Sequence, residues 1–341
     1  MRGKMKKSYK IVLLFIISLG LMSLNGCSKE QKNVEDIDNI DVSSNLVLDI
    51  EDNEIKYKTL DNGKLVDLDI KSKDNLQAFN ESKDILIFSR ITEDNKKEMD
   101  IVSKGNKKTI DVEGYLDMVL ISSNGSYTLY KTSLNGISVD YYIINNKTFE
   151  KKKLRDDILI SGEMIKFLDN ENIIFYGVDI KKKESGLYVY NIENDTYTLK
   201  KKIMGGVISY LEVLDKDNVV YVEGIDEESK LISFNVSNKK AEILTSKFKY
   251  IEDSILYKDK LYLSATQDEN LNLYSLDLKS KELKRLTFDF PKSLARTSSL
   301  IEENGEIYFS DVNGKIYKYD TIEKSTSIMD NKSGIYLIKS K

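Results

Sequence analysis

Histidine is absent from all 341 residues, and cysteine occurs once, as Cys27. These two facts remove most catalytic chemistry. A Ser-His-Asp triad needs an imidazole base, Cys-His catalysis needs both residues, and a zinc site of the common kind is built on the pair. No G-x-S-x-G, P-loop or G-x-G-x-x-G is present, so no cofactor is expected. The acidic runs at 49–54 and 214–218 lack the D-x-D-x-D-G spacing of a calcium loop and read as solvated turns, so no metal is expected either. What remains is 56 acidic residues, 52 basic ones and 21 tyrosines. Paired carboxylates can cleave glycans, but only where burial or a neighbour shifts a pKa. Spacing alone singles out no pair.

Cys27 has a different use. The first ten residues carry five basic side chains and no acid, and an apolar run follows at 11–24. About 20 apolar residues are needed to cross a bilayer. A charged start, a short apolar run and small residues before a cut describe a secretory signal, expected over 1–26. Leu24-Asn25-Gly26-Cys27 resembles the bacterial lipoprotein lipobox. The resemblance implies that Cys27 is diacylated and becomes the first mature residue, a lipid anchor on the extracytoplasmic face of the cell membrane. One cysteine cannot form an intramolecular disulfide, which suits an exported chain. Residues 28–44 are polar and acidic, too poor in apolar side chains to offset their ordering entropy, and read as a flexible tether after Cys27.

Beyond the leader the chain carries 47 basic against 56 acidic residues, with no basic block. That excess argues against nucleic acid as a partner.

The elements that must position any site show themselves as a repeat. A short apolar run after a polar turn begins at Leu46, Ile85, Tyr127, Ile173, Val219, Leu261 and Ile307, spaced by 39 to 46 residues. Periods of about 40–45 residues belong to propeller blades of four strands. An alternating strand follows in each period, as at 186–192, 230–236, 272–278 and 315–321. A polar turn and a weaker edge-like strand come next, as at 196–203 and 241–246. The unit 46–70 supplies three strands, and the apolar run 334–340 stands alone at the other end. Pairing them closes a ring without open edges. The expectation is an all-β propeller over 45–341 with seven four-stranded blades, six or eight being the alternatives.

The turns at 78–88 and 121–130 resemble the S-P-D-G turn of TolB-like and WD-repeat-like propellers, with Asn124-Gly125 where those families have Asp-Gly. The resemblance implies a propeller used as an extracytoplasmic binding platform. Related propellers gate prolyl oligopeptidases, but no hydrolase segment is recognisable here.

The expected function is a non-enzymatic binding scaffold at the cell envelope, with a protein or polymer as partner. The alternative is a carboxylate-dependent glycan hydrolase or lyase. Loops between second and third strands, and the connections between blades, should share one face. Asp226, Glu227, Glu228, Asp268, Glu269 and Arg296 are the candidate binding residues there. The strand tyrosines, such as Tyr176, Tyr188, Tyr190 and Tyr221, are expected to pack between blades rather than to stack on sugars.

Overall fold

The computed structural model describes residues 45–51, 54–68, 75–80, 85–103, 106–134, 138–225 and 228–339. The signal-like leader, Cys27, the tether and the pair Asp226 and Glu227 lie outside them. The described residues form 28 strands in seven four-stranded antiparallel sheets. Six blades are sequential: blade 1 spans 75–112, blade 2 115–153, blade 3 158–202, blade 4 207–245, blade 5 250–285 and blade 6 301–330.

The seventh blade is shared between the two ends. β1 (Asn45–Glu51), β2 (Glu54–Asp61) and β3 (Lys64–Asp67) are joined by β28 (Ile335–Lys339) as the innermost strand. The register runs from Asn45 opposite Lys339 to Asp49 opposite Ile335. Blade number and closure are thus as the repeat predicts.

Each recurring apolar run is the second strand of its blade. Such a strand has a neighbouring blade on both faces, so its side chains are apolar without alternation. β13 (Asn172–Asp179) is buried at six of its eight positions. The polar turns between third and fourth strands share a mechanism in blades 2 to 6. An Asn or Asp opens the turn and its side chain accepts backbone N–H groups two or three residues on, as at Asn145, Asn191, Asn235, Asp277 and Asp320. A residue with positive φ then completes it: Phe149, Asp195, Lys239, Lys281 and Lys324.

The core is seven layers, one at each interface between neighbouring blades. The layer between blades 3 and 4 contains Tyr176, Leu187, Leu211, Tyr221 and Phe234. The layer closing the ring joins Leu46 and Tyr57 of the shared blade to Phe79 and Phe88 of blade 1. Tyr57 Oη also accepts the Leu76 amide at 3.4 Å across that seam. Tyr176, Tyr188, Tyr190 and Tyr221 are all buried in these layers, as expected of them.

Seven innermost strands surround the central channel: β4 (Asn75–Asn80), β8 (Tyr115–Ile121), β12 (Ile158–Phe167), β16 (Val207–Val213), β20 (Tyr250–Tyr257), β24 (Ile301–Glu303) and β28. Their first residues open toward the long connections, the loop face. Their last residues open toward short hairpin turns, the turn face.

Candidate functional site

The innermost strands carry polar side chains where their inner side meets water. Five of the seven also share an irregularity. Pairing with the second strand shifts between Leu76 and Ala78, Leu116 and Met118, Ile160 and Ile165, Ile208 and Tyr210, and Ile251 and Asp253. A bulge leaves its extra residue unpaired and re-aims it. The residues skipped include Gln77, Asp117, Glu163, Ser209 and Glu252. Glu163, Ser209 and Glu252 line one cavity of the channel.

A belt of charge crosses the channel at mid-height. Lys166 of β12 donates to Glu212 of β16 at 3.1 Å. Lys339 of β28 reaches across blade 6 to Asp253 of β20, lies 3.9 Å from Glu212, and donates to the Ser254 carbonyl at 3.1 Å. The other oxygen of Asp253 accepts the Leu300 amide at 2.8 Å. Burial works against the Lys339 ammonium, but Asp253 and Glu212 outweigh it and hold the pKa above the usual lysine value. The belt residues Lys166, Glu212 and Lys339 separate two chambers and line both.

The chamber on the turn face has a volume of 610 Å³ and mixes apolar walls, such as Leu120, Phe167 and Val213, with the belt charges. The chamber on the loop face has a volume of 390 Å³. Glu163, Tyr250, Glu252 and Arg296 are among its walls. Arg296 comes from the connection between blades 5 and 6, and its guanidinium lies 5.3 Å from the centre of the Tyr250 ring. Burial raises the pKa of Glu252, with Asp253 adding to the rise, while Tyr250 and Arg296 oppose it. Among the described residues no cluster of three or more Asp, Glu or Cys is placed to hold a metal ion.

Of the residues singled out in the sequence, the structure brings Arg296 to this chamber. Glu228 opens the third strand of blade 4 and pairs with Lys230 at 3.5 Å, outside the chamber lining. Asp268 and Glu269 are exposed in the loop between the second and third strands of blade 5. Lys166, Glu212, Glu252, Asp253 and Lys339 carry no motif. Their signal was the innermost strand itself, whose interrupted pattern lacks a clean period.

The loop face has a second property. Fourteen of the nineteen large apolar side chains exposed among the described residues lie on it, at the loop-face ends of strands or in the connections. The innermost of them include Tyr115, Leu159, Val207 and Tyr250, with Met204 and Phe288 on connections beside them. The other five, Val66, Ile243, Leu256, Ile322 and Ile328, are scattered on outer strands and the turn face. The charged loops expected there are present, but apolar side chains stand among them.

No protein-family model matches the chain, and no curated protein matches it. Solved structures do. A puromycin hydrolase S511A mutant complexed with PGG aligns at a TM-score of 0.60 with 9% identity, over 86% of this chain and 53% of that one. An oligogalacturonate lyase in complex with manganese aligns at 0.56 with 10% identity, over 84% of each chain. TolB from Acinetobacter baumannii aligns at 0.46 with 12% identity, over 71% of this chain and 63% of that one. The chain thus spans between half and two thirds of the length of the hydrolase and of TolB. At such identities the likeness is one of fold. With the blade topology, it makes the chain a seven-bladed β-propeller in fold.

Proposed function

We propose that the chain is a lipid-anchored, extracytoplasmic binding scaffold, without enzymatic activity, that holds a protein partner on its loop face. The observation that carries this reading is the concentration of exposed apolar side chains on that face. Contiguous apolar surface rimmed by polar groups marks protein-binding sites, and a rigid ring that fixes variable loops suits the task.

The test is capture from detergent-solubilised membranes with the anchor intact. Replacing Met204, Val207 and Phe288 together by Ser removes apolar surface and leaves Phe290, which packs against the core residue Tyr317, in place. We expect capture of the partner to be lost. Equal capture by the variant overturns the reading.

One observation favours a second reading, a glycan hydrolase or lyase. Glu252 has a raised pKa in a chamber it shares with Glu163, Tyr250 and Arg296, as a carboxylic general acid requires. Turnover of a cell-wall glycan by the purified chain, lost in Glu252→Gln, would establish it.

A further inference from the structure

The exposed apolar side chains and the loop-face chamber share one face of the propeller, and this placement assigns a chemistry to the partner. We infer that the partner presents a projecting protein loop in which a lysine or arginine is flanked by apolar or aromatic side chains, and that the basic side chain enters the loop-face chamber while its neighbours rest on the ring. This rests on the scaffold reading and adds to it the identity of the contact.

The size fits. A chamber of 390 Å³ accommodates one long side chain and its hydration but not a folded segment. The charge fits as well. Of the charged groups lining it, Lys166 is bound to Glu212 and Lys339 to Asp253. Glu163 and Glu252 then share the lining with a single guanidinium, Arg296, which lies over Tyr250. The balance left over is negative. Bulges present both carboxylates, since the pairing shifts at each of them. Glu252 sits where burial already disfavours its charge, so a cation arriving beside it is attracted more strongly than at an exposed rim. Aromatic faces hold cations in this molecule: Lys97 Nζ lies 3.0 Å from the centre of the Tyr115 ring, and Arg296 sits over Tyr250 in the chamber wall. Outside the mouth, Leu159, Val207 and Met204 supply the apolar seat for flanking side chains.

A membrane surface is the other occupant an apolar ring could take. A negative chamber at its centre disfavours the anionic headgroups that such a surface presents.

The experiment is a selection of a displayed random 12-residue peptide library on the full-length chain in detergent. Affinities of the enriched peptides are then measured by fluorescence polarisation at low and at high salt. We expect Lys or Arg beside Phe, Leu or Tyr to be enriched, and affinity to fall at high salt. In the variant Glu163→Gln/Glu252→Gln affinity should drop at least tenfold, and in the Ser variant of the apolar ring binding should be lost. Peptides that need the ring but ignore the two carboxylates would leave the scaffold reading intact and overturn the basic-residue inference. Peptides that ignore both, or a selection without enrichment of basic residues, overturn the inference. Binding of anionic vesicles that the ring variant abolishes would replace the protein partner by a membrane.

Discussion

Lys339 is the residue on which closure and channel meet. It ends the last strand of the ring, yet its ammonium binds Asp253 of blade 5. Removing the charge leaves a largely buried carboxylate with one amide donor, Leu300. Breaking one side of a buried pair is costly, and partial exposure moderates the loss. Lys339→Met should therefore cost about 2–4 kcal/mol, read as a lower urea midpoint at constant slope. Asp253→Asn in the same background should recover part of it. An unchanged midpoint in Lys339→Met would show the belt to be ornamental. Two tyrosines give a finer contrast. The Tyr221 hydroxyl is buried with no hydrogen-bond partner among the described residues. The Tyr210 hydroxyl donates to Ser254 Oγ at 2.7 Å. Tyr221→Phe should leave the melting temperature unchanged or raise it, and Tyr210→Phe should lower stability by about 1 kcal/mol. Calorimetry of the two single variants decides whether these hydroxyls differ as stated.

At the scale of the element, β28 is the only strand among the described residues that joins a blade whose other strands are not its neighbours in sequence. It buries Ile335 and Leu337 completely. The Leu337 amide is held by Ser298 Oγ at 3.0 Å, and its carbonyl accepts the Ser299 amide at 2.8 Å. The approach around it is close. A Cβ on Gly314 would lie 2.6 Å from the Gly334 amide nitrogen, so the turn beside the closing strand tolerates no side chain. Deleting 334–341 uncovers the edge of β1 and two apolar layers at once. We expect a chain that aggregates or melts far below the intact protein, monitored by light scattering and circular dichroism. A truncated chain with the original melting temperature would mean that blade 7 holds without its inner strand.

For the whole molecule, the absence of histidine has a thermodynamic consequence. Hydrogen bonds from backbone N–H groups lower the pKa of Asp277 and Asp320 from 3.8. Their contribution is present above that value and fades as pH falls through the lower, folded one. Lys339 is shifted upward from 10.5, so its contribution is complete below that value and fades only as pH rises through the higher, folded one. Glu252 runs the other way, costing stability once ionised. The changes at Asp277, Asp320 and Lys339 lie outside the neutral range, and no imidazole titrates within it. Melting temperature should be flat between about pH 6 and 9 and fall in strong acid and strong alkali. A step near pH 6.5 that persists in Glu252→Gln would require an ionisation that none of these groups supplies. The same scale holds the membrane question. Cys27→Ser should abolish incorporation of a fatty-acid analogue in growing cells and release the chain from membranes. Label retained by the variant would refute the anchor.

Much of the propeller could be read from the sequence because second strands are buried on both faces and third strands on one. Burial on both faces writes an unbroken apolar run, as at 219–222, and burial on one writes an alternation, as at 230–236. Asn and Asp at the third turns supplied the punctuation, and the lone run at 334–340 announced closure. The innermost strands were not legible. One of their sides is wet, and bulges at Gln77, Asp117, Ser209 and Glu252 break the period of two. The channel belt was hidden for a further reason. Lys166, Glu212, Asp253 and Lys339 come from four blades, as far apart as 173 positions in sequence. No local pattern records a distance across a ring. Arg296 could be named from its loop, but its place over Tyr250 could not. Nor could the sequence show that Met204, Val207 and Phe288 share a face, because their common exposure exists only once seven sheets are ranged around one axis.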